Sequence, residues 1–175
     1  QVALGKLDRE RDADMREDAL FRIYSMSREI TSVAALRLFE EGAFNFDDPV
    51  SKYLPEFSDQ RVLLNSESTD LEATRPRVGE MTIAHLLTHT SGLGSRSSAL
   101  YRENNVRDRA QSLDAMVSKA ARVPLFLDPG TEFRYGIHAT IIGKLIEVWS
   151  GQPFEEYLQQ NLLAPLGMTS TLFWA

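Results

Sequence analysis

The chain has 175 residues, 43% of them hydrophobic and 25% charged, a composition that supports one folded domain with a real core. A formal charge of −6 and the absence of any Lys/Arg run argue against generic nucleic-acid binding. With zero cysteines, disulfides, thiolate nucleophiles and cysteine metal sites are excluded, and no stretch is apolar for long enough to span a bilayer.

In chain order, Gln1 to Leu7 reads as the end of a strand and Asp8 to Asp18 as a charged turn. The start has no signal-peptide layout, and a first residue other than Met leads us to expect processing or an incomplete chain. After the short extended piece Leu20–Tyr24 the pattern becomes helical. Ile30, Val33, Ala34 and Leu38 fall at helical spacing, and Ala35, Leu36 and Phe39 widen the apolar surface over most of the circumference. That predicts a helix buried in the middle of its domain and stopped by Gly42. Asp47 and Asp48 are expected to cap a short turn with Pro49 at its first position and Val50, Tyr53 and Leu54 inward.

Residues 58–80 are polar and poorly periodic, a surface excursion with room for a strand pair. Thr82 is positioned to cap a compact helix over 83–88, broken by Ser91-Gly92-Leu93-Gly94-Ser95. The stretch on to Arg109 is expected to be irregular, mobile and suited to covering a site. Amphipathic or apolar helices are predicted over 112–122, 137–150 (ended by Gly151) and 154–162, with a turn at Asp128-Pro129-Gly130. The chain closes on an extended TSTLFWA.

The chemistry gathers at Ser25. A serine in the first turn of a helix meets free backbone N–H groups and a dipole that favours negative charge, which suits a nucleophile and its oxyanion product. Ser25 and Arg28 are three apart and share a face. Serine enzymes that use a lysine base one turn on need this S-x-x-K spacing, and here the fourth residue is Arg28. The plainer alternatives are an N-cap serine and a surface arginine.

Six blocks taken together are more specific than any one of them: FRIYSMSREITSVAALRLFEEG, FDDPVSKYLPEF, MTIAHLLTHTSGL, FLDPGTEFRYG, IIGKLIEVWSG and LLAPLGMTSTLF. In this order they closely resemble the serine β-lactamase and penicillin-binding-protein-like superfamily, on its class C side with the family VIII esterases and D-peptidases. The resemblance implies an α+β fold of the β-lactamase/transpeptidase type, here mainly the helical region with part of the antiparallel sheet. The family's C-terminal strands, with their K-T-G-like motif and half of the oxyanion hole, would lie beyond Ala175. A single domain incomplete at its C-terminus is therefore expected, completed by a complementary segment or by a homo-oligomer.

The resemblance places the acylated nucleophile on Ser25, the family lysine on Arg28 and the tyrosine acid/base on Tyr135. It implies no metal and no cofactor, and a small ester or amide as substrate. A guanidinium keeps its proton at any working pH, so Arg28 cannot serve as a general base. It remains a fixed positive charge that favours a tyrosinate at Tyr135, and reduced or absent hydrolysis is expected. Carboxylesterase comes first among the activities, then β-lactamase or D-peptidase. The alternative is a binding or structural module that keeps the fold without catalysis.

Other candidates carry less. His85 and His89 are four apart, but Leu86 stands where a zinc protease needs glutamate and no third ligand is evident. A hydrogen-bonded helix end is the expected role of that segment. Ser91 lacks the first glycine of a nucleophile elbow. Tyr135 could also be an ordinary core tyrosine.

Overall fold

The structure is a computed structural model describing residues 2–108 and 110–173. Two strands open it, β1 (Lys6–Asp8) and β2 (Ala13–Asp14), paired antiparallel around a turn where Lys6 bridges Asp12 and Asp14. The charged stretch read as turn alone thus contains the second strand of a hairpin. Leu20 to Ile23 follows without strand pairing.

A 3-10 turn, Tyr24–Met26, leads into α1 (Ser27–Glu40). Helix α1 buries Thr31, Ala34, Ala35 and Leu38 and packs on α5 (His138–Ser150), whose Ile141, Ile142, Leu145 and Ile146 face it and the rest of the core. The two alanines allow the helices a close approach. Gly42, at φ 79, supplies the left-handed stop. One expectation is corrected: α1 is not buried all round, because Val33 and Leu36 are 47% and 41% exposed. Its composition shows how much apolar surface it carries, not how many neighbours cover it.

After α1 the chain folds back over α5 through an aromatic cluster. Phe44 stacks on Trp149 at 4.0 Å, and Tyr53 meets the same indole edge-on at 5.5 Å. The next turn, Val50–Lys52, has Pro49 at its cap and no side-chain cap, so Asp47 and Asp48 are not the caps expected. Asp48 is instead a receptor for donors: Tyr53 Oη at 2.6 Å, the Asn45 N–H at 2.8 Å and Lys52 Nζ at 3.0 Å. These donors, the tyrosine hydroxyl foremost, hold its carboxyl down at about 2. A carboxyl depressed in the fold stabilises it above the ordinary carboxylate range and loses that contribution as pH falls through about 2. Tyr53→Phe is therefore expected to cost ~1–3 kcal/mol at neutral pH, the loss of one hydrogen bond to a charged group. The cost should shrink below pH ~3, where the carboxyl is protonated in the variant. Urea denaturation at pH 7 and pH 3 checks both halves.

The excursion over 58–80 contains the expected strand pair, β3 (Val62–Leu63) against β4 (Thr74–Arg75). It is tied down rather than loose: Arg75 grips Asp128 through both guanidinium nitrogens, and buried Gln60 donates to the Ala120 and Val123 carbonyls. Helix α2 (Ile83–Leu87) begins as expected at Thr82, whose hydroxyl accepts from the His85 N–H while His85 Nδ1 accepts from the Thr82 N–H.

The segment read as irregular up to Arg109 is corrected too, up to Asp108; Arg109 lies outside the described residues. It contains α3 (Ala99–Glu103), and Leu93, Leu100, Tyr101 and Val106 are buried. Tyr101 Oη accepts from the Gly94 N–H at 3.0 Å, and complete burial pushes its phenol up to about 12. Helix α4 (Leu113–Arg122) is capped by the Ser112 hydroxyl. Helix α5 ends at Gly151 in the left-handed region, and α6 (Phe154–Leu158) continues as a π turn, Gln159–Leu163. Thr169 to Phe173 forms no strand, and Trp174 and Ala175 of the expected extended end lie outside the described residues.

Candidate active site

Two loops lying side by side build the site. The segment Leu125–Ile137 runs along the chain after α2 and bonds to it at four backbone points. Phe126 N–H donates to Gly92 O, Gly130 to Thr90 O, Arg134 to His89 O and Ile137 to Gly94 O, at 2.7–3.1 Å. This ladder needs glycine where the two backbones touch. A Cβ on Gly136 would stand 2.4 Å from Gly94 O, and one on Gly94 would stand 2.2 Å from the Phe126 ring. Gly92 has φ 80 and no room for a side chain against Leu127 O. Tyr135 therefore stands on a backbone pinned at both sides.

Ser25 is exposed, in the 3-10 turn just before α1. It caps nothing: Met26 holds the cap position of α1 and no side chain bonds there. The residue before it, Tyr24, has φ 46, a left-handed conformation that costs a non-glycine residue about 1–3 kcal/mol. That strained turn delivers the Ser25 hydroxyl to the surface at the head of the helix, where N–H groups lack intrahelical acceptors.

Arg28, one turn on, is half-buried and points into the ladder. Its Nη1 donates to Gly136 O at 2.6 Å, and its guanidinium lies 4.4 Å from the centre of the Tyr135 ring. Its Nε is buried and has no partner among the described residues. Arg28 is thus no free surface arginine. Tyr135 is 46% exposed, so it is not a core tyrosine either. The structure brings Arg28 and Tyr135 into direct contact and sets Ser25 in the turn that leads into the helix carrying Arg28.

Sequence reasoning passed over two residues of this cluster. His89 was assigned to a helix end, and His138 only to a helix. His89 stacks on Tyr135, with ring centroids 5.3 Å apart and planes 20° apart, and also meets Phe133 at 5.6 Å. Its φ of 58 is again left-handed. His138, the first residue of α5, is fully buried, and its Nδ1 lies 3.0 Å from His89 Nδ1. Burial holds both imidazoles below their ordinary range, with the Arg28 charge pushing in the same direction; His138 falls to about 3. Both rings are therefore neutral at pH 7. The signal available in the sequence was the pairing of THTSGL with FRYGIH, which identifies no contact by itself. His85, by contrast, is spent on capping α2.

Comparison with known proteins identifies the family of the chain. The Beta-lactamase family model matches residues 1–175. Esterase EstB of Burkholderia gladioli is 34% identical over 179 aligned positions, covering 95% of this chain and 41% of the esterase. Monacolin J acid methylbutanoyltransferase of Aspergillus terreus is 35% identical over 161, covering 91% of this chain and 39% of that enzyme. Among solved structures, EstCE1, described as a hydrolase with promiscuous acyltransferase activity, superposes with a TM-score of 0.79 at 29% identity. It covers 93% of this chain and 42% of its own. The chain spans about two fifths of the length of these relatives. The fold is that of the β-lactamase/transpeptidase group, represented in part: mostly helical, with small antiparallel sheets. With esterases and acyltransferases among its relatives, the chain belongs to the Beta-lactamase family.

Proposed function

We propose that the protein carrying this chain transfers acyl groups from small esters through a covalent Ser25 acyl-enzyme, with hydrolysis as the principal outcome. The supporting observation is the contact of Arg28 with Tyr135 and Gly136 O, one helical turn along the chain from an exposed serine in a strained turn. Ser25 Oγ attacks the ester carbonyl carbon, and Tyr135, acting as the general base, takes the hydroxyl proton. The C–O bond breaks and the alcohol leaves with that proton. Water then attacks the acyl-serine and releases the acid. Arg28 acts as a fixed cation against the Tyr135 ring and does not exchange a proton.

An ester is favoured over an amide because alkoxide is the better leaving group where the base is weak. The relatives named as esterase and as methylbutanoyltransferase fit this choice, and a transferase would differ only in admitting an alcohol in place of water. Stopped-flow hydrolysis of p-nitrophenyl acetate and butyrate is expected to show a burst of nitrophenol stoichiometric with protein, followed by a slow steady state. Neither burst nor turnover would leave the binding-module reading in its place, favoured by the anchoring of Arg28 at Gly136.

A further inference from the structure

Two imidazole nitrogens 3.0 Å apart can bond only if one carries a proton and the other a lone pair. His89 and His138 therefore share one hydrogen between their Nδ1 atoms, and its owner is decided by the far side of His138. His138 Nε2 is buried and has no partner among the described residues. Were His89 the donor, neutral His138 would carry its own proton on Nε2, a buried N–H that meets no acceptor at hydrogen-bond geometry, although the Gly136 carbonyl beside the ring favours a proton on it. With His138 as donor, Nε2 carries a lone pair instead, and buried acceptors go unpaired more readily than buried donors.

His138 Nδ1–H thus donates, and His89 accepts at Nδ1 and keeps its proton on Nε2. The groups around His89 agree with an uncharged ring. Arg28 and Glu29 reach it from α1, Phe133 and Tyr135 from the neighbouring loop, and His138 from α5. Charging His89 would place a second cation beside Arg28 and remove the lone pair that holds His138.

We propose that His138 is a positioning residue that locks His89 as the neutral Nε2–H imidazole, and that His89 in this form holds the Tyr135 ring in place against Arg28. His138 touches no reacting atom and acts through His89. The consequence for catalysis rests on the reading of Tyr135 as proton acceptor, whereas the tautomers and the ring placement do not.

The test is NMR on the intact protein labelled with 15N-histidine and ring-13C-tyrosine, with resonances assigned by H85Q, H89Q and Y135F. At neutral pH, long-range 1H–15N correlations are expected to show His138 protonated on Nδ1 and His89 on Nε2. A proton on His89 Nδ1 overturns the proposal without any variant of His138. In H138N, whose Nδ2 stands where the imidazole Nδ1 stood, His89 should titrate as before and the Tyr135 ring signals should stay in place. In H138L, His89 should titrate about one pH unit higher, the equivalent of one lost hydrogen bond, and the Tyr135 signals should move. Equal behaviour of H138N and H138L overturns the positioning role. None of these readouts involves turnover, so failure of the acyl-transfer reading would be seen separately, as absence of the nitrophenol burst.

Discussion

Ser25→Ala is expected to lower ester turnover by on the order of 10³-fold or more while leaving the fold unchanged. The two halves of that expectation have different physical origins. Without the hydroxyl no acyl-enzyme forms, and what remains is the modest rate that binding and a polar site give to attack by water. The fold is indifferent because Ser25 is exposed, caps no helix and lies outside the core. Surface changes of this kind fall within about 0.5 kcal/mol of zero. Thermal unfolding and steady-state kinetics on the same preparation check both. A large fall in stability would mean that the serine serves the turn, not the chemistry.

Arg28→Lys is expected to act in the opposite direction and raise the acylation rate by roughly 10²-fold, at the lower end of what a positioned general base contributes. The arginine occupies a half-buried site between Gly136 O and the Tyr135 ring. An ammonium there keeps the positive charge when protonated, and burial can bring its proton within reach of working pH, which no environment does for a guanidinium. The gain should appear as a new basic dependence in the pH–rate profile, absent when arginine is present. A fall in rate would show that the guanidinium's simultaneous hold on a carbonyl and a ring matters more than a removable proton. Arg28 would then be a clamp for Tyr135.

How much of this was legible in advance depended on the range of the interaction. Local signals read true. Thr82 before α2, Gly42 and Gly151 after their helices and the strand pair within 58–80 all depend on residues a few positions apart. Errors came where the partner was distant. Asp48 resembled a cap until Tyr53 and Lys52 claimed its carboxylate. The segment after Ser95 seemed too polar to order, yet Leu100, Tyr101 and Val106 are buried, and Tyr101 receives the Gly94 N–H. Helix α1 offered an apolar circumference, yet Val33 and Leu36 stay exposed while Ala34, Ala35 and Leu38 are buried.

The site divides in the same way. Ser25 and Arg28 were visible as a spacing, and Tyr135 through the resemblance of its block. The contact between Arg28 and Tyr135 spans more than a hundred residues and follows from the backbone ladder that glycines 92, 94 and 136 permit. The His89–His138 pair is less visible still. A lone histidine at the start of an apolar helix reads as ordinary core, and its meaning comes only from the nitrogen 3.0 Å away.

A covalent intermediate on Ser25 can be trapped. The intact protein would be exposed to a fluorophosphonate, its mass measured, and the adduct located by peptide mapping. A single adduct on Ser25 is expected, formed faster in R28K and absent in S25A. No adduct in either the unsubstituted protein or R28K, or an adduct on another residue that persists in S25A, would contradict it.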